Sequence, residues 1–281
     1  MAVFLIYSLA DTIIKGLGGT LPIWEISFFV SAFGLIAVYV TKPRSERWRD
    51  ALKPRNPWLL NLRCMAGYLA TMLIIYAFVH VSMAEVYSLV FLTPVFVVLI
   101  SIAVLKERVD AVRWLVLAVS LIGSLLVIKP GFQVFQLGHL AAVGHAILAA
   151  STSLMIKRLA ATERQTAMMV FPALYAILLN GAIMAFDFVM PTAGQWLGLG
   201  LAGCLAASGN LLFIFAGRIT PISRLQLAHY SQIVWGAMLG ALIYKEMPDV
   251  LAFVGIVVIL GAGLMNVVIS GRPTLESAPT V

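Results

Sequence analysis

Polar side chains set inside apolar runs are where this chain could do chemistry. The run at 222–244 carries the most of them: Gln226, His229, Tyr230, Ser231, Gln232 and Trp235. A charge at the centre of a bilayer costs about 2.5–3.5 kcal/mol on insertion scales, so each polar group there needs a role. Gln226, His229 and, in a neighbouring run, Asn210 can meet the polar ends of a small solute. An imidazole can titrate near neutral pH, so His229 reads either as a proton-coupling group or as a packed, hydrogen-bonded ring. His145 is a candidate on the same grounds.

Near the N-terminus, Ser8, Asp11, Thr12 and Lys15 recur at i, i+3, i+4 and i+7 and share one helical face. Two readings stand: an Asp11–Lys15 pair that neutralises itself near the outer helix end, or a polar stripe on a solute cavity. Tyr87, Phe91 and Pro94 share a face of the run at 84–104, and Tyr68, Thr71, Ile75 and Tyr76 lie close to one face of the run at 58–79. Such aromatic stripes either pack or line a cavity, and a wet cavity would give the tyrosine hydroxyls partners. Pro94 removes a backbone hydrogen bond in mid-run and predicts a kink that could serve gating. Glu107 and Glu246 sit beside lysines at run ends, where salt bridges or caps at structural junctions account for them.

Intramembrane enzymes form the competing class. Their sites need a paired nucleophile and base, paired aspartates or metal ligands at helical spacing. No HExxH, GxSxG or Walker-type glycine loop occurs, and Asp11 and Asp187 are the only deeply placed aspartates. Neither a metal site nor a cofactor is expected, and no filter-like loop suggests a channel.

The elements that must hold these residues follow from composition. The 281 residues are 62% hydrophobic and 11% charged, against about 25% charged for a soluble domain. Their mean hydropathy is +1.01. The apolar residues fall in ten runs, at 2–18, 21–40, 58–79, 84–104, 111–128, 137–156, 167–190, 195–217, 222–244 and 249–270. About 20 helical residues cross the hydrocarbon layer. An all-α polytopic membrane protein with ten transmembrane helices is predicted, ending in a polar tail at 271–281. Cys64 and Cys204 fall within runs and read as small core residues. MAVFLIYSLADTIIKG lacks a basic leading region and reads as a retained helix.

The net charge of +7 reflects loop lysines and arginines that set topology, so no nucleic-acid partner is expected. With both termini in the cytoplasm, sixteen basic residues lie on that side, from Lys42 to Arg272. Lys15, Lys129 and Lys245 lie opposite. An offset of 139 superposes Lys106-Glu107 on Lys245-Glu246, Asp110 on Asp249, Leu121 on Leu260 and Leu125 on Leu264. The offset also places Tyr87 over Gln226 and Phe91 over Tyr230. Residues 1–130 and 131–270 are thus expected to be two five-helix repeats. Five being odd, they enter the membrane from opposite sides, an inverted repeat suited to alternating access.

DTIIKGLGG at 11–19, TPVFVVLISIAVLKERV at 93–109 and the following LVLAVSLIGSLLVI resemble the EamA-type branch of the drug/metabolite transporter superfamily. The resemblance covers nearly the whole chain and implies ten helices, a cavity lined by both halves and movement of small metabolites. It is similar to bacterial amino-acid exporters, aromatic ones included. Two departures stand out: Ser27-Phe28-Phe29 where an arginine is often found, and Ile233 at the repeat position of Pro94. The expectation is a secondary transporter in a bacterial inner membrane, exporting a small metabolite, with amino acids first. Multidrug, nucleotide or sugar transport on the same fold is the alternative. Its expected partners are the solute and membrane lipid, with monomer and oligomer both left open.

Overall fold

The computed structural model describes residues 2–41, 53–100, 102–103, 111–128, 136–159, 162–219 and 222–270. Among them the secondary structure is helical throughout: α1 (Ala2–Leu17), α2 (Ile23–Thr41), α3 (Pro57–His80), α4 (Met83–Val90), α5 (Thr93–Ile100), α6 (Ala111–Ile128), α7 (Leu137–Leu159), α8 (Gln165–Met184), α9 (Ala193–Ile219), α10 (Ile222–Tyr244) and α11 (Val250–Ser270). Among the described residues, four stretches are long and apolar enough to span a bilayer: Pro57–His80, Met83–Ile100, Leu137–Ile156 and Thr166–Met184.

Local sequence fixes where helices begin. Asn56 accepts from the Leu59 amide at 3.3 Å, with Pro57 in the first turn where its missing N–H costs nothing. Ser82 caps α4 through the Glu85 amide. Thr192 and Gln195 cap reciprocally, the Thr192 amide donating to Gln195 Oε1 at 2.7 Å.

The predicted run at 84–104 is two helices. Phe91 and Leu92 separate α4 from α5, upstream of Pro94 rather than at it. Proline cannot donate to the carbonyl four residues back, which is that of Val90, and it disfavours helical geometry in the residue before it. Thr93 supplies the missing donor: its hydroxyl bonds Val90 O at 2.6 Å.

Helices pair across the two sequence halves. α3 packs on α7, α6 on α11, α1 on α9 and α2 on α8. Small residues permit the closest approaches. A Cβ on Gly203 of α9 would lie 2.6 Å from Phe33 Cβ of α2, and one on Gly255 of α11 would lie 2.7 Å from the Gly123 carbonyl of α6. Large apolar side chains such as Leu121, Phe253 and Val257 stay exposed on the outside of the helix array. Cys64 is buried, as a small core residue would be; Cys204 is exposed, because its position on α9 faces away from the packed side.

Candidate functional site

Three helices bring one polar cluster together. Tyr87 of α4 donates its hydroxyl to Asp11 Oδ2 of α1 at 2.6 Å, and Gln232 of α10 donates Nε2 to the same oxygen at 3.4 Å. Tyr87 is 2% exposed. Its ring stands edge-on to Phe78 at 5.3 Å and fills space opened by Gly236, where a Cβ would lie 2.1 Å from ring carbons. Phe91 is buried in the same apolar cluster. Ser8, one turn before Asp11, is fully buried and its hydroxyl has no hydrogen-bond partner among the described residues. The same holds for Trp235 Nε1, one turn after Gln232 on α10. Buried polar atoms without a protein partner are rare, and each leaves a hydrogen bond for water or a solute to make.

Asp11 does not pair with Lys15. Lys15 bonds Glu246 Oε1 at 2.8 Å and the carbonyls of Phe78 and Val81 at 2.9 and 2.7 Å. The carbonyls are the orphaned acceptors at the end of α3, where a cation is favoured. Glu246 Oε2 also accepts the Met83 amide at 3.0 Å. Lys245, at φ 58°, occupies the left-handed region just past α10 and turns the chain back toward Lys15. Tyr244 donates its hydroxyl to Thr12 O and lies under the Lys15 ammonium. Above this knot is an open cleft of ≈ 400 Å³ that includes Lys15, His80, Ser82, Tyr244 and Glu246 in its walls.

Other anticipated residues are dispersed. His145 Nδ1 contacts the Ala70 carbonyl at 2.9 Å, tying α7 to α3. Tyr76 stacks on His80 with centroids 4.0 Å apart. Asn210 is exposed on α9. The side chains of Gln226, His229 and Tyr230, the Pro94 ring and all of Glu107 lie outside the described residues, as do 271–281.

Sequence reasoning missed two groupings. Asn180 of α8, fully buried, donates to Ser27 Oγ at 3.0 Å and accepts from Tyr68 at 3.0 Å, joining α2, α3 and α8. His139 Nε2 lies 2.8 Å from Glu85 Oε2, joining α7 to α4, while its Nδ1 accepts the Gln136 amide. A lone asparagine within an apolar run was the available signal for Asn180; nothing local flagged the Glu85–His139 pair, whose members are 54 residues apart.

A sequence model of the EamA-like transporter family matches residues 1–129 and again 136–268. The chain is 32% identical over 261 residues to the pseudopaline exporter of Pseudomonas aeruginosa, covering 91% of this chain and 90% of that one. It is 24% identical over 278 residues to an S-adenosylmethionine uptake transporter of Rickettsia prowazekii, covering 96% and 91%. A riboflavin transporter of Vibrio cholerae matches at 27% identity over 62% of this chain and 58% of its own. A solved crystal structure superposes with a TM-score of 0.64 at 18% identity, covering 98% of this chain and 99% of its own.

Proposed function

The chain belongs to the EamA-like transporter family, and from that premise we propose that it moves a small zwitterionic metabolite by alternating access, with amino acids as the first candidates and export as the direction. The membrane setting and the metabolite-transporting character of its relatives support the class. The family match in two blocks and the helix pairings between halves support an inverted repeat. The excess of basic residues, sixteen on one side against three on the other, supports both termini facing the cytoplasm.

The observation that carries the reading is the Asp11–Tyr87–Gln232 cluster, built from both sequence halves and flanked by unpartnered Ser8 and Trp235. The Lys15–Glu246 knot lies one helical turn further along α1, about 6 Å away at 1.5 Å per residue, and closes the same end of the helix array. A polar cluster beneath a cross-half latch is what a solute site behind a gate requires.

The test is uptake of labelled phenylalanine, tryptophan, threonine and methionine into proteoliposomes, with and without a pH gradient. Saturable uptake of one of them is expected. Indifference to the gradient would leave facilitated exchange and remove proton coupling. Failure of all four would remove the amino-acid assignment and redirect the search to nucleotides, sugars and drugs.

A further inference from the structure

Asp11 is a carboxylate held inside the helix array with neutral partners. Its one candidate counter-charge on α1, Lys15, is committed to Glu246 and two α3 carbonyls. Among the described residues only the Tyr87 hydroxyl and the Gln232 amide reach it, and both reach the same oxygen. Neutral donors orient a carboxylate without matching its charge, and in a low-dielectric setting that leaves it a strong attractor for a mobile cation.

The surrounding groups narrow the cation. Ser8 Oγ, buried and unpartnered, and Tyr87 Oη can each accept a hydrogen bond in addition to the carboxylate. Gln232 gives its Nε2 to Asp11, which leaves its amide oxygen as a third neutral acceptor. Several acceptors around one carboxylate suit the three N–H donors of a primary ammonium. The same set lacks the second carboxylate that a divalent ion would want. On α10, Trp235 Nε1 is a donor with no partner, one turn from Gln232, where side chains three apart sit about 5–6 Å from each other. It offers a hydrogen bond to an acceptor on the far side of the same solute.

We propose that Asp11 is the binding site for the ammonium group of the transported solute, with Tyr87 and Gln232 as its positioning residues. The proposal rests on the transporter reading and narrows it: the cargo carries a protonated amine, and anionic or uncharged solutes of equal size are rejected.

The experiment measures binding of phenethylamine and of 3-phenylpropionate to purified wild-type, Asp11→Asn and Tyr87→Phe protein, with thermal unfolding as the check on folding. Phenethylamine is expected to bind the wild type and to lose roughly 30-fold or more in affinity with Asp11→Asn, as when one member of a buried charge pair is truncated. Tyr87→Phe keeps the carboxylate and is expected to lose several-fold, while 3-phenylpropionate binds none of the three. Equal phenethylamine affinity in wild type and a folded Asp11→Asn protein would overturn the assignment, as would absence of amine binding to wild type. Should Asp11→Asn instead abolish a pH dependence of amino-acid uptake while amine affinity is unchanged, a proton occupies Asp11 and the proposal fails. Unimpaired amino-acid uptake by Asp11→Asn would likewise sink this inference while leaving the transporter reading intact. Failure of wild type to take up any amino acid would remove the amino-acid assignment independently of Asp11.

Discussion

Removing Lys15 should open the end of the molecule that it closes. The Lys15 side chain is 9% exposed and that of Glu246 is 24% exposed. Lys15→Met deletes the ion pair and both bonds to the end of α3, leaving Glu246 with the Met83 amide. Breaking a fully buried pair costs about 3–5 kcal/mol, and the partial exposure of Glu246 lowers the expected cost of the closed state to about 2 kcal/mol. That corresponds to a shift of about 30-fold toward the open state. Thr12 lies one turn beneath Lys15, is 4% exposed and accepts the Tyr244 hydroxyl through its carbonyl. A Thr12→Cys reporter, in a background with Cys64 and Cys204 changed to serine, can be labelled with a membrane-impermeant maleimide. In the Lys15→Met protein the labelling rate from the Lys15 side should rise at least 10-fold. The double variant Lys15→Met/Glu246→Met removes the orphaned carboxylate and should recover thermal stability while remaining open. An unchanged labelling rate in folded Lys15→Met protein would refute the latch. Equal acceleration from both sides would show general loosening instead.

Further outcomes follow from single contacts. Gly236→Ala places a Cβ 2.1 Å from the Tyr87 ring and should destabilise by about 1–3 kcal/mol through overpacking, measured as a lower unfolding midpoint. Thr93→Val leaves the Val90 carbonyl without its 2.6 Å donor and should cost about 1 kcal/mol. Adding Pro94→Ala restores a backbone N–H and should recover most of that loss; independent, additive effects would contradict this account of the helix break. Asn180→Ala strands Ser27 and Tyr68 and should cost about 2–3 kcal/mol in thermal or denaturant unfolding, whereas a change below 0.5 kcal/mol would show that water replaces the amide.

The helical character and the approximate placement of the described helices were legible because hydrocarbon thickness imposes a length on apolar runs, and Pro94 was legible as a disturbance because its missing N–H is covalent. The exact break at Phe91–Leu92 was not, since it depends on how Thr93 satisfies Val90 O. The stripe Ser8-Asp11-Thr12-Lys15 could be read as one face, but the partners of Asp11 and Lys15 could not. Helical spacing favoured pairing them with each other. The fold offered Lys15 a better site, with Glu246 arriving from 231 residues away beside two free carbonyls, and left Asp11 to Tyr87 and Gln232. Long-range pairs such as Glu85–His139 leave no periodic trace at all.

Counterflow tests the central claim most directly. Proteoliposomes preloaded with unlabelled amino acid are diluted into trace labelled amino acid, and internal label is followed over time. A carrier working by alternating access produces a saturable overshoot above equilibrium, diminished in Asp11→Asn, with the solute chemically unchanged. Flux linear in concentration with no overshoot would mean a channel, and altered solute would mean an enzyme; either result would contradict the account.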